Sequence, residues 1–232
     1  IPGGVSAGDA GVNARGAHIV AGRQMTIPTI TVAGDLFFGS RFNGVTFDRA
    51  TSGGNLSILN MQTVSGNLLS SVGSLTVSSG GPINVANVSG GAVTLSTAST
   101  VNIATLTGSS VGVGSAGAAT VGSVTGTTSV SAGSNTSLDF GSVTAPTFTA
   151  TSLLVRLGTV NVSGNALVRT PQMDLTGSFA AANLSIEGSG GVFRLGGDGP
   201  LGLTNAELQR IQVTGALSLY AGQTVATQGN PN

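Results

Sequence analysis

The sequence predicts an all-β solenoid, and three observations carry that prediction: a repeat, a composition too poor in bulky side chains for a wide globular core, and a hydropathy too high for disorder. Read from Ile83 in blocks of nine, the chain gives INVANVSGG, AVTLSTAST, VNIATLTGS, SVGVGSAGA, ATVGSVTGT, TSVSAGSNT and SLDFGSVTA, running to Ala145 without an insertion. Alternate blocks resemble each other more closely, which makes the repeating unit a double block. Only 7% of the residues are charged and 4% aromatic, while Gly supplies 38; a soluble domain ordinarily carries about 25% charged residues. Disorder needs low hydrophobicity together with high net charge. Here 40% of residues are hydrophobic, the mean hydropathy is +0.36 and the formal net charge is zero.

The clearest marker is a V-S/T-G corner at Val88-Ser89-Gly90, Leu106-Thr107-Gly108 and Val124-Thr125-Gly126, each one double block after the last. Val143-Thr144-Ala145 and Val162-Ser163-Gly164 follow at steps one longer, and Val64-Ser65-Gly66 reads as an earlier copy. A period near 20 with short alternating strands and Gly/Ser/Asn corners is the signature of stacked parallel coils. Each coil would carry a short strand on each of two or three faces. Val85, Ile103 and Val121 then form an inward ladder flanked by Val88, Leu106 and Val124, with Leu95 and Val113 on the opposite wall. Corner glycines would supply positive φ, and Asn87 and Asn102 would fill corners or form side-chain ladders. Roughly twelve coils would use the whole chain, a stack of about 55–60 Å at the usual spacing.

Residues 1–52 read as an atypical N-terminal coil or cap, residues 53–200 as the solenoid repeats, and residues 201–232 as a terminal coil with a short helix and a tail. The first region holds Arg15, Arg23, Arg41 and Arg49, together with Phe37, Phe38, Phe42 and Phe47. Stretches 26–32 and 45–47 alternate as strands around Ala33-Gly34-Asp35 and Asn43-Gly44; terminal repeats of a solenoid are usually atypical. In the last region Thr204-Asn205-Ala206-Glu207 fits a capping box and predicts a helix of two turns at most. Strands at 216–220 and 222–226 follow, then a frayed tail at 228–232.

At residues 201–222, LGLTNAELQRIQVTGALSLYAG resembles a segment of filamentous haemagglutinin-like bacterial surface proteins, in which an N/D-A-E-L-x-R-I turn of helix punctuates β-strand repeats and a G-x-L-x-L-x-A-G strand follows. The repeats GSVTGTTSVSAGSNTSLDFGSVTA are similar to the body of that family, and the resemblance covers about residues 53–226. It implies a right-handed parallel β-helix with coils of about 18–20 residues, a repeat length typical of solenoids. It also implies export to the bacterial cell surface, with roles in adhesion or matrix building. That family's N-terminal secretion domain is not evident in residues 1–50.

The chemistry-bearing residues are sparse. All eight basic residues are Arg, scattered singly, so no basic stripe addresses nucleic acid. The acids are Asp9, Asp35, Asp48, Asp139, Asp174, Glu187, Asp198 and Glu207. At the repeat period Asp139 has no acid one coil away, and Asp174, Glu187 and Asp198 need not share a face. No catalytic cluster of the kind β-helix lyases and hydrolases use is therefore expected. Gly196-Gly197-Asp198-Gly199 is a single copy of a calcium-repeat fragment and reads as a turn. His18, the sole histidine, reads as a loop or surface residue, and with no Cys present zinc or copper lacks its usual ligands. No G-x-S-x-G elbow or G-K-[ST] phosphate loop occurs. No apolar run is long enough to cross a bilayer, so no membrane span is expected.

These features predict an extracellular structural or adhesive solenoid that is not an enzyme and carries no cofactor. Its partners would be a host, abiotic or polysaccharide surface, and a second copy of itself in head-to-tail association. A surface ligand-binding solenoid, taking polysaccharide or ice, is the alternative from another class, but for ice Thr94, Thr105, Thr120 and Thr147 do not fall at one coil position. A carbohydrate-active β-helix enzyme is the remaining alternative.

Overall fold

The computed structural model describes residues 16–21, 24–40, 43–188, 194–195, 202–220 and 226–227. They form a nearly all-parallel β-solenoid of about nine turns with one short helix near the C-terminus. Met25, Val45, Val64, Ile83, Val101, Ala119, Leu138, Val155 and Met173 are in-register partners from turn to turn, at nearly even steps. At the parallel-strand spacing these turns stack to about 40 Å, shorter than a division of the whole chain by the period predicts. Part of the difference lies after Phe179, whose next rung is Ile211, well beyond one period further on.

Each turn contributes three inward pairs. In the first they are Met25 and Ile27, Ile30 and Val32, and Leu36 and Phe38; in the fifth, Val101 and Ile103, Leu106 and Gly108, and Val111 and Val113. Within a pair the side chains alternate in and out, as on any strand. Between pairs the alternation slips and the pairing skips a residue, at Pro28/Asp48, Asp48/Asn67 and onward to Gly141/Gly158. These slips divide the coil into three walls. Val85, Ile103 and Val121 stack on the first, Val88, Leu106 and Val124 on the second, and Leu95 and Val113 on the third, as expected.

Two corner copies are reassigned by the register. Val64 pairs with Ile83 on the first wall, and the second-wall partner of Val88 is Leu69. Val143 is continued by Val160, not Val162, because the turn from Leu138 to Val155 is shorter than the one before it. Val162 lies instead beneath Ala145.

The core keeps its cross-section by exchanging volume between neighbours. A Cβ at Gly66 would run into the ring of Phe47 in the turn above, so the glycine makes room for the phenylalanine. Phe140 and Phe148 enter the same turn edge to face, centroids 6.1 Å apart, while Ala132, Ala145 and Ala150 around them stay small. Such compensation is what native packing density requires.

The corner glycines serve a different purpose from the one expected. Gly122, Gly141, Gly158 and Gly177 stack at the corner between the first and second walls, and none lies in the left-handed region. A Cβ at Gly122 would sit 2.6 Å from the Ala104 carbonyl oxygen, and at Gly141 and Gly158 it would strike the carbonyl of the preceding glycine in the column. The requirement is close approach along the stack, not positive φ.

At the corner between the third wall and the next turn, six hydroxyl residues point inward: Ser79, Thr97, Ser115, Ser134, Ser152 and Thr170. They satisfy the turning backbone. Thr170 Oγ1, for example, donates to the Gln172 carbonyl at 2.6 Å and accepts from the Gln172 N–H at 3.1 Å. Such local bonds replace the ladder where the chain bends. Ser152 Oγ alone among the six is buried without a partner.

The helix spans Asn205–Leu208, a single turn, with both capping-box bonds to Thr204 made. The strands after it are Ile211–Val213 and Leu217–Tyr220. The expected strand at 222–226 and the tail at 228–232 fall mostly or wholly outside the described residues.

Candidate functional site

With the alternation fixed, the outward residues form columns that run along the solenoid. On the second wall Thr31, Thr51, Ser70, Ser89, Thr107, Thr125, Thr144 and Asn161 are consecutive in-register partners. A parallel column continues from Asn87 through Thr105, Ser123 and Ser142 to Thr159. Nearer the N-terminus the hydroxyls bond to one another, Thr51 to Thr31 at 2.9 Å and Ser89 to Ser70 at 3.0 Å. The signal for the first column was present in the S/T of the corner triplet, whose middle residue faces outward. Thr94, Thr105, Thr120 and Thr147 do occupy different columns, partnered by Gly112, Ser123, Asn102 and Ser129.

The first wall carries the column Asp139, Arg156, Asp174. Arg156 Nε lies 3.8 Å from Asp174 Oδ2, and both side chains are about half exposed. This is a surface ladder of alternating charge, and it lines neither of the two hollows of the third wall. Glu187 stands on the third wall, so Asp174 and Glu187 do not share a face. Asp9, Asp198 and the Gly196–Gly199 fragment lie outside the described residues, as do Arg15, Arg23, Arg41 and Phe42. Among the described residues no three His, Asp or Glu side chains are grouped to hold a metal. His18 lies on the strand Ala17–Ala21 rather than in a loop; it is exposed, with its ring edge-on to Phe37 at 4.5 Å.

The third wall has relief. Over its last turns three columns run side by side. Asn165 and Asn183 form one rim, their amides joined at 2.8 Å, with Asn183 Oδ1 also accepting from the Ala216 N–H at 2.9 Å. Arg169, Glu187 and Tyr220 form the other rim, one per turn. Arg169 Nε donates to Glu187 Oε2 at 2.6 Å, and Tyr220 is 60% exposed. The floor between them is Thr149, Leu167, Ser185 and Ser218. A floor of mostly short residues between the two rims leaves a groove of about 410 Å³, which adjoins a hollow of about 500 Å³ at Glu187, Gly188 and Tyr220. The first volume lies in the range of small-molecule sites. Thr149, Ser185 and Ser218 line the groove and Tyr220 the adjoining hollow, and none of them makes a side-chain hydrogen bond among the described residues.

Glu207 and Arg210 act at the edge of the last complete turn. Glu207 Oε1 accepts from the Leu175 N–H at 2.8 Å, and Arg210 donates to the carbonyls of Leu175 at 2.7 Å and Thr176 at 3.2 Å. Two side chains thus take the place of the next rung. Burial pushes the Glu207 carboxyl up, but the Leu175 and Thr204 N–H groups, the Thr204 hydroxyl and the Arg210 charge outweigh it and hold the group below the ordinary range.

The fold and this surface place the chain in a structural class, the parallel β-solenoids with a charge-poor, hydroxyl-rich exterior. Comparison with protein-family models, curated proteins and solved structures finds no match.

Proposed function

We propose that this solenoid is an extracellular structural and adhesive module of a bacterial cell-surface fibre or matrix, of the filamentous haemagglutinin-like kind. One observation carries the reading: hydroxyl and amide columns run unbroken along the second wall from Thr31 to Asn161, interrupted in the adjoining column only by Arg49 and Leu68. Such a surface meets a host, abiotic or polysaccharide surface through many weak, uncharged contacts whose strengths add along the rod. The terminal turn supports head-to-tail association. Its strands Ile211–Val213 and Leu217–Tyr220 are paired on one side only among the described residues, and Leu217 is exposed. Unpaired edges of this kind template further pairing.

The test is retention of the protein on polysaccharide-coated and bare surfaces across ionic strength. Uncharged contact predicts retention nearly unchanged between about 0.05 and 0.5 M salt, a range over which exposed ionic contacts are screened. Loss of retention with salt would overturn the uncharged mode. Negative-stain images of filaments with a repeat of about 40 Å, the height of the stack at the parallel-strand spacing, would support association. Isolated rods at high concentration would remove it. A second reading, ice binding, is favoured by the paired columns Thr105/Thr107, Ser123/Thr125 and Ser142/Thr144, and a thermal-hysteresis measurement decides it.

A further inference from the structure

We infer that the third-wall groove between Asn165–Asn183 and Arg169–Glu187–Tyr220 is a binding site for an extended, neutral oligosaccharide; the inference rests on the adhesive reading and gives it a specific ligand class.

Three properties of the groove select that chemistry. Its charge is internally cancelled, because the Arg169 guanidinium and Glu187 carboxylate are bonded to each other at 2.6 Å. A strongly anionic or cationic ligand would have to break that pair without a replacement. Its hydrogen-bonding groups are hydroxyls and amides on side chains. The backbone beneath is committed to the ladders on both sides through the turns of Asn165 and Asn183, so an incoming peptide could extend a strand only at Leu217–Tyr220, the far end of the groove. A ligand dense in its own hydroxyls matches what remains. Finally, Leu167 is half-buried in the floor and the Tyr220 ring stands exposed at the end of the rim. These are apolar surfaces against which the C–H faces of a sugar ring pack, with the phenol oxygen left to bond outward.

The shape narrows the ligand further. The lining spans four successive turns, Thr149, Leu167, Ser185 and Ser218 each one rung apart, so the floor is straight and about 14 Å long at the rung spacing. A straight channel accepts an extended β-1,4-linked chain and not one that curls as α-1,4-linked glucans do.

The protein supplies its own reporter, since Tyr220 is the only tyrosine and there is no tryptophan. Titrating cellotetraose into the full chain is expected to change Tyr220 emission saturably, with maltotetraose at least tenfold weaker. Ser185→Arg, which fills the floor and leaves Tyr220 in place, is expected to weaken cellotetraose at least tenfold with an unchanged circular dichroism spectrum. Glu187→Gln, nearly the same shape, is expected to weaken it only a few-fold, which guards against Ser185→Arg acting through misfolding. No saturable change with cellotetraose, equal or tighter binding of maltotetraose, or a Ser185→Arg protein that is folded and binds normally would each overturn the assignment. Retention on surfaces that survives Ser185→Arg while emission stays silent would remove the groove and leave the adhesive module standing.

Discussion

The turns from Val101 to Ala145 and those from Asn165 to Tyr220 are built on the same three walls, yet they differ in what they leave outside. In the first region rung lies over rung at a nearly constant step, outward positions are mostly Thr, Ser, Asn, Gly and Ala, and Asp139 is the one charged side chain. In the second the spacing becomes irregular, the rung after Phe179 is not reached until Ile211, and Arg169, Glu187, Glu207, Arg210 and Tyr220 appear. Like stacked on like gives a flat wall that repeats one weak contact. Relief requires long and short side chains in adjacent columns, which a strict repeat does not supply. The groove therefore lies where the repeat has decayed.

The largest effect that would break this comparison is expected at the boundary. Phe140 is fully buried against Phe148, and Phe140→Ala should cost about 3–5 kcal/mol, read from the urea midpoint. Because stability in a stack is a sum over neighbouring turns, hydrogen exchange should show the turns from 138 onward losing protection while those before 119 keep theirs. Uniform loss along the whole chain would mean that the two regions unfold as one unit.

A pair of glycines sharpens the point at a smaller scale. Gly158→Ala drives a methyl into the Gly141 carbonyl of the turn above, whereas a Cβ at Gly133 meets nothing within 4 Å. The first substitution should destabilise by about 1–3 kcal/mol. The second should leave stability unchanged or raise it by up to about 1 kcal/mol, by restricting the unfolded chain. Equal effects in thermal denaturation would show that the corner yields and that the glycine column is not a steric requirement.

The body of the fold was legible because inward residues recur at the period: Val85, Ile103 and Val121 could be stacked from the sequence alone. Misreadings arose where two walls offer the same triplet. Val64-Ser65-Gly66 mimics the corner, but its glycine is there to admit Phe47, and Val162 mimics it because one turn is shorter than its predecessor. The one-turn helix was legible because a capping box is local. The groove was not, since its rims join residues on different turns, and those turns are of unequal length. Tyr220 read only as the end of a strand. The clamp on Leu175 was invisible for the same reason, as nothing near Glu207 in sequence names so distant a partner.

Within the inward hydroxyl column, adjacent members should respond with opposite sign. Ser134 Oγ donates to the Gly117 carbonyl at 2.7 Å and accepts from the Thr136 N–H at 3.1 Å. Ser134→Ala should cost about 1 kcal/mol. Ser152 Oγ is buried with no partner, so Ser152→Ala should stabilise by about 1 kcal/mol, the desolvation penalty being removed with the group. If both substitutions destabilise equally in urea titrations, Ser152 has a partner the structure does not show.

The smallest effect concerns pH and separates the two regions most directly. The middle turns are held by uncharged ladders, whereas the terminal turn is held to Leu175 by Glu207 and Arg210. The folded Glu207 carboxyl lies below its ordinary range, so the unfolded chain binds its proton more readily than the folded one, and stability rises with pH. The contribution is complete above the unfolded value of about 4.3 and is lost as pH falls through the lower folded value. Tyr220, in the second strand after the helix, reports the release through its emission. In the wild-type chain that emission should shift as acid protonates the clamp, while Glu207→Gln should show the released signal at neutral pH and little further change in acid. An identical acid profile in both proteins would show that the transition does not arise at Glu207 and that the clamp does not hold the terminal turn.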